Sequence, residues 1–241
     1  MLLRDRLGPV FMGSEKLDEE APMSETTGDG SGGGGTSEPT IRLYRETDRD
    51  AMFDICMRTG WAGGDARGYF QDQELLPDIF AAPFAALEPG LVFVLDDGGR
   101  AVGYVAGTSD TARFAKEFRE RWLPLVADRH PQPTAEPAGH DEVMANLLHN
   151  PESMIIPDLA DYPAHLHIDI LPEYQGRGYG RELMHAELGA LRQAGAPRVF
   201  LGMLTVNTAS RAFYEKLGFQ VVPVANAGPL TYLGRSTAEP L

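Results

Sequence analysis

The chain has 241 residues, 43% of them hydrophobic, a formal net charge of −14 and a single cysteine. That length accommodates one sizeable domain or two small ones, and no apolar run approaches the ~20 residues that cross a bilayer. The negative charge repels phosphate backbones and anionic membrane surfaces, so neither nucleic acid nor membrane is an expected partner, but it leaves open an anionic ligand held by backbone N–H groups.

In chain order, residues 1–39 are rich in Gly, Ser, Thr, Glu and Asp, contain the run Ser31–Gly35 and lack hydrophobic periodicity. They are expected to form a disordered leader, and the folded domain is expected to span 40–236. The opening Met1–Met12 includes Asp5 and no clear small-residue cleavage site, which makes it a poor signal peptide. An alternating strand is expected over 40–45, then a helix with Thr47 as N-cap that ends near Gly60. Cys56 on this helix cannot form an intrachain disulfide, suits a reducing cytoplasm and reads as a small buried hydrophobe.

A second helix is expected within 68–87, broken or bent near Pro77 and Pro83. Residues 91–95 and 101–108, joined by the Asp-Asp-Gly-Gly turn at 96–99, read as a β-hairpin. Residues 109–162 form a less regular insert: helical spacing over 113–126, a proline-rich loop at 130–137 and a short helix at 141–149. Its aromatics Phe118, Trp122 and Tyr162 have two readings, walls of a substrate pocket or ordinary core. A strand follows at 163–171, a helix at 180–194, a strand at 198–204, a helix at 208–217, and strands at 219–224 and 230–234. A hairpin early and a β-α-β run late give an α/β (α+β) sandwich around one mixed sheet.

The most informative stretch is Ile168–Met184, where an apolar strand turns at Pro172 into a glycine-rich loop that opens a helix. Gly176, Gly178 and Gly180 alternate along it, so the backbone is expected to take positive φ and approach a ligand closely. Successive N–H groups over Gln175–Gly180, with Tyr179 in the run, would converge at a helix N-terminus that favours a pyrophosphate, and Arg177 and Arg181 add charge at the rim. No Gly-Lys-Ser/Thr follows, which sets aside a P-loop. The Pro-Glu-Tyr-Gln spacer before the glycines, and the missing acid about 20 residues on, set aside a dinucleotide fingerprint. The remaining plain reading is a flexible strand–helix turn.

Strand alternation places His165, His167 and Asp169 on one face and Leu166, Ile168 and Ile170 on the other. Three titratable groups in a row are unusual on a buried strand. They read either as groups that orient and deprotonate a substrate or as a hydrogen-bonded polar cluster that holds the insert. The His-x-His pair has no third ligand at diagnostic spacing, so no metal is expected.

Two motifs carry a resemblance. Ile-x-Ile-x-Pro at 168–172, followed by Gln-Gly-Arg-Gly-Tyr-Gly at 175–180, resembles the acetyl-CoA-binding motif of GNAT acyltransferases. Asn207-Thr-Ala-Ser-Arg-Ala-Phe-Tyr-Glu-Lys-Leu-Gly-Phe219 resembles that family's asparagine-led second signature. The resemblance covers about residues 41–235. It implies the GNAT fold, one central, mostly antiparallel mixed sheet of six to seven strands flanked by helices on both faces, with a helical insert before the fourth strand.

The resemblance further implies acetyl-CoA as cofactor and acetyl transfer to a primary amine by direct attack in a ternary complex. It carries the main chain of Ile168, Asp169 and Ile170 over to contact the pantetheine arm, with the Ile170 N–H on the thioester oxygen. Asn207, Ser210, Phe213 and Lys216 would lie along the cofactor, and Tyr214 would act as general acid. Asp169 is the first candidate for the base and His167 the second.

Phe114–Pro124, Tyr162–Ile170 and Tyr232–Arg235 are also similar to the C-terminal acetyltransferase-like domain of O-GlcNAcase and its free-standing bacterial relatives. The animal domain has a degraded glycine loop, whereas this chain keeps the loop intact. A non-catalytic, acetyl-CoA-binding or protein-interaction module therefore stands as the alternative. The acceptor expected from the resemblance is a small-molecule amine or a protein lysine or N-terminus, and the assembly a monomer or homodimer.

Overall fold

The structure, a computed structural model, describes residues 38–241; the expected leader lies outside them apart from its last two residues. Seven strands form one sheet: β1 (Thr40–Leu43), β2 (Val92–Asp97), β3 (Arg100–Thr108), β4 (Ala164–Ile170), β5 (Arg198–Leu204), β6 (Gln220–Val221) and β7 (Leu230–Ser236). Their order is β1-β2-β3-β4-β5-β7-β6, and every pair is antiparallel except β4 with β5. The helices are α1 (Arg49–Thr59), α2 (Leu75–Phe80), α3 (Ala82–Leu87), α4 (Thr111–Glu117), α5 (Leu123–Val126), α6 (His140–Leu148), α7 (Tyr179–Gln193) and α8 (Thr208–Lys216).

The period-2 alternation of β3 divides the helices between the two faces. Tyr104 on β3 points with Asp169 of β4 toward α1, where Thr59 bonds the same carboxylate. One strand position out of phase, Gly107 faces α7, and a Cβ there would press on the Glu187 carboxylate and lie 3.0 Å from the His165 carbonyl oxygen, so glycine gives the helix room to seat. α7 buries Leu183, Met184, Leu188 and Leu191 and leaves Arg181, Glu182 and His185 outside. That is the 3.6-residue stripe that the sequence displays, and each fully buried aliphatic side chain contributes about 1.5–3 kcal/mol.

Several elements depart from the sequence expectation. Thr47 does not cap α1; a one-turn 3-10 segment, Glu46–Asp48, precedes it. Asp48 is instead turned inward, where it pairs with Arg42 at 2.6 Å and accepts from the Arg45 N–H at 2.8 Å. The break in 68–87 falls at Ala81 rather than at the prolines. Pro77 and Pro83 both sit in the first turn of their helices, where a missing N–H costs nothing. The 113–126 helix is interrupted by a π turn, Phe118–Trp122, and the 219–224 strand shortens to Gln220–Val221.

Phe118 and Trp122 belong to the core, and Tyr162 packs over Gly234, so none of the three insert aromatics forms a pocket wall. The insert is pinned by a buried polar knot. Asp78 Oδ2 accepts from His130 Nε2 at 2.9 Å and from Arg129 at 2.6 Å, His130 Nδ1 meets Asp72 at 2.6 Å, and Trp122 Nε1 donates to the Asp78 carbonyl at 2.8 Å. Removing one member of such a cluster leaves a buried charge short of a partner. His130→Ala is accordingly expected to lower unfolding free energy by about 3 kcal/mol in urea titration.

Glu187 presents the opposite situation. Its side chain is fully buried on α7, and neither carboxylate oxygen has a hydrogen-bond partner among the described residues. Burial, with a smaller contribution from Glu88, pushes its pKa well above the ordinary carboxylate range. The folded protein therefore keeps this proton at pH values where the unfolded chain has lost it, and stability falls as pH rises above the ordinary glutamate range. Glu187→Met, of similar shape, is expected to raise Tm more at pH 8 than at pH 5. An equal shift at both values would mean that Glu187 does not carry the proton.

Candidate active site

The loop between β4 and α7 departs from ordinary strand–helix turns in its unused donors. A 3-10 turn, Pro172–Tyr174, leads from the strand and is tied to the β2–β3 hairpin by Tyr174 Oη donating to Asp97. Glu173 pairs with Arg58 of α1 at 3.3 Å. The chain then turns through Gly176 at φ +72 and Gly178 at φ +95, and Gly178 caps the fifteen-residue α7. A Cβ at either position would meet no atom within 4 Å, so these glycines serve backbone conformation and an open approach rather than packing. From Gly176 through Gly180, five successive N–H groups bond no described residue; the first bonded amide after them is Arg181, at 2.9 Å to Gly178 O. A row of free donors at the positive end of a helix fits an anion of phosphate type.

Gly180 differs from its two neighbours. Its φ is not positive, and a Cβ there would lie 3.0 Å from Phe213 of α8. This third glycine allows α8 to close on α7, a packing role that replaces the expected conformational one. Arg177 and Arg181 are exposed at the rim, Arg177 over the Tyr174 ring at 5.8 Å, while Tyr179 is buried beneath the loop.

The second feature is an opening in the sheet. β4 pairs with β5 only at Ala164↔Val199 and His165↔Phe200, although β4 runs on to Ile170 and β5 to Leu204. On its other side β4 stays paired with β3 through Gly103↔Ile170. The Leu171 N–H bonds Val102 O at 3.0 Å, so antiparallel alternation turns the main chain of Asp169 and the other odd residues toward β3. The peptide groups of Ile168 and Ile170 therefore face the gap, and that of Asp169 does not. The Ile170 carbonyl is occupied by Gln175 Nε2 at 2.7 Å, which leaves its N–H on the open edge.

Between the splayed strands and the helices lies a cavity of about 360 Å3 that Asp169, His165 and His167 line from β4, Asn207, Ser210 and Tyr214 from α8. Asp169 accepts from Tyr104 Oη at 2.6 Å and from Thr59 Oγ1 at 2.9 Å. Burial lifts its pKa, an effect that these two hydrogen bonds oppose. His165 Nδ1 lies 2.8 Å from Thr111 Oγ1, and burial, reinforced by His167, depresses the imidazole to about 3. His167 packs on Phe80 and Phe84, has no hydrogen-bond partner among the described residues, and burial holds it down to about 4. Both imidazoles are uncharged at neutral pH.

Tyr214 lines the same cavity. Its hydroxyl makes no hydrogen bond to a described residue, and burial, with Asp169 nearby, raises its pKa so that it stays protonated. Asn207 Oδ1 caps α8 by accepting from the Ser210 N–H at 3.1 Å, while its amide faces Gly63 on the loop after α1. Cys56 also reaches the cavity, and burial pushes its thiol well above the usual range, so it is not a ready nucleophile. Lys216, at the end of α8, is exposed and lies outside the cavity.

Residues that sequence reasoning missed come from distant segments: Thr59 and Tyr104 on the carboxylate, and Phe80 and Phe84 beneath the imidazoles. From the insert, Met144, Leu147, Met154 and Ile156 reach the cavity, and the aromatics Phe118, Trp122 and Tyr162 take the core reading. Among the described residues no group of three or more His, Cys, Asp or Glu is arranged to hold a metal, and no helix is long and apolar enough to cross a membrane.

Comparison with known proteins gives matches in sequence and in fold. The acetyltransferase (GNAT) family model matches residues 143–219. The crystal structure of SsHAT is 55% identical with a TM-score of 0.82, covering 84% of this chain and 100% of that one. Protein O-GlcNAcase of Rattus norvegicus is 24% identical over 201 residues; the match covers 82% of this chain but 22% of that protein, so the chain spans about a fifth of its length. The structure of yncA from Salmonella typhimurium, solved with its cofactor acetyl-CoA, is 18% identical with a TM-score of 0.50, a likeness of fold alone, over 84% of this chain and 96% of that one.

Proposed function

Because the chain belongs to the acetyltransferase (GNAT) family, we propose that it is an acetyl-CoA-dependent N-acetyltransferase that acylates a primary amine directly in a ternary complex. The observation that carries this reading is the row of free N–H groups from Gly176 to Gly180 at the start of α7, next to a sheet opening lined by unpaired strand edge. The acetyl-CoA of the yncA structure supports the same cofactor for a chain of this fold.

Acetyl-CoA would supply an acetyl group already activated as a thioester. The loop amides would hold its pyrophosphate, with Arg177 and Arg181 at the rim, and the edges of Ile168 and Ile170 would align its pantetheine arm. The Ile170 N–H, on the open edge, would polarise the thioester carbonyl oxygen, a donor fixed before reaction and therefore costing no reorganisation. Tyr214, a phenol that burial keeps protonated and that bonds no described residue, would supply the proton that a departing thiolate needs.

On the acceptor side, His167 is uncharged and bonds no described residue, so its ring can accept a hydrogen bond from the amine, but burial that holds its pKa at about 4 makes it a weak base. Asp169 has both oxygens engaged by Tyr104 and Thr59 and acts better as a fixed acceptor that orients the amine. Cys56, the chain's one cysteine, is buried and protonated, which favours direct transfer over an acyl-thiol route.

Calorimetry with acetyl-CoA, followed by thiol-release assays across a panel of amines, tests the reading. Micromolar binding with turnover of at least one amine is expected. Binding without acetylation of any amine would favour the non-catalytic module, and no binding at millimolar ligand would remove the function altogether.

A further inference from the structure

The end of the cavity that the insert helps to build has a distinctive chemical make-up. The rings of Phe80, Phe84 and Phe200 and the aliphatic chains of Met144, Met154 and Ile156 dominate it, with Ser153, whose buried hydroxyl bonds no described residue, and Tyr232 also in the lining. Among the described residues neither lysine nor arginine lines the cavity, and the one carboxylate that does, Asp169, is already held by Tyr104 and Thr59. The remaining titratable walls, His165 and His167, are kept uncharged by burial.

We propose that the acceptor is a small primary amine on an uncharged apolar or aromatic body, and that the site rejects amines that also carry a carboxylate or phosphate. The inference rests on the acetyltransferase reading above and names the substrate class for it. An acceptor carboxylate entering this cavity would lose its water and find no cation to replace it. A polyamine would bury a second ammonium with no second anion. An aromatic or branched aliphatic body, by contrast, exchanges water for rings and methionine side chains, which adapt to irregular shapes. The same uncharged surroundings favour the neutral amine, the form that attacks.

The insert explains why this pocket is apolar at its far end. Helix α6 supplies Met144, and the turn after it supplies Met154 and Ile156. The buried knot around Asp78 and His130 fixes the segment that leads into them. The insert thus sets specificity through aliphatic side chains, while its aromatics Phe118 and Trp122 hold it in place.

Matched pairs test the proposal on the full chain: 2-phenylethylamine against phenylalanine, and tryptamine against tryptophan, each differing only by a carboxylate. The carboxylate-free member is expected to have the higher kcat/KM by ~100-fold or more, the scale of an unpaired buried charge. Spermidine and a lysine-containing peptide are expected to be poor acceptors. Parity within the pairs, or a preference for spermidine or the peptide, would overturn the assignment.

A separate readout isolates the pocket from catalysis. Calorimetric titration of each amine into protein saturated with coenzyme A needs no turnover, and it is expected to give the same ranking. If acetyl-CoA itself does not bind, the acetyltransferase reading fails; the amine titrations on the unliganded protein then still decide the pocket's preference, and no binding of 2-phenylethylamine or tryptamine at millimolar concentration overturns it. Met154→Arg places a cation on the half-buried wall and is expected to narrow or invert the phenylethylamine–phenylalanine ratio. An unchanged ratio would show that this wall does not select the acceptor.

Discussion

Gly178→Asp is expected to lower acetyl-CoA affinity by ~100-fold or more, an effect read by calorimetry on a protein whose fold is unchanged. Gly178 sits at φ +95, where an L residue costs about 1–2 kcal/mol. A carboxylate at the N-cap would also stand where the loop's free amides face a diphosphate, and like charges would repel at close range. The fold should survive, because a Cβ at this position meets no atom within 4 Å. Gly178→Ala separates the two causes: alanine tolerates the left-handed region less well than aspartate but carries no charge. A much larger loss for aspartate identifies charge repulsion as the main cause, and undiminished affinity in both variants would remove the cradle assignment.

Tyr214→Phe is expected to reduce kcat by ~100-fold while KM for acetyl-CoA changes little, since a positioned acid contributes ~10²–10⁴ to rate. The substitution deletes a hydroxyl that bonds no described residue, so no partner is orphaned and stability should hold within about 0.5 kcal/mol. Tyr104→Phe provides the contrast. Tyr104 donates to Asp169 at 2.6 Å in the core, so its loss leaves a buried carboxylate short of a donor and should lower stability as well as turnover. If kcat of Tyr214→Phe equals that of the parent, the thiolate takes its proton from elsewhere and Tyr214 is a packing residue.

The motifs lay in contiguous stretches, and there the sequence was legible. The loop at 175–180 carries glycines whose backbone need is local, and the helix after it displays its buried stripe directly, so cradle and helix could be placed from residues alone. The hairpin at 92–108 was legible for the same reason, being settled by neighbours within a few positions. Thr47 misled because Asp48, one residue on, had a stronger partner in Arg42 of β1 and in the Arg45 N–H. Gly180 misled because the reason for its missing side chain, the Phe213 ring, arrives from thirty-three positions away in the chain.

The division has a physical basis. Periodicity, caps and glycine placement are properties of short segments, and they determined that a strand would run through a free-amide loop into an amphipathic helix. What surrounds Asp169, and which face of the insert meets the cavity, depended on contacts across the sheet: Thr59 reaches that carboxylate over 110 positions and Tyr104 over 65. The early termination of the β4–β5 ladder is likewise a property of the assembled sheet, in which β4 stays with β3 through Ile170 and β5 stays with β7 through Leu204. Local sequence determined the glycine loop and the helix it opens; only the folded chain decided the gap, the buried imidazoles and the side chains that line the cavity with them.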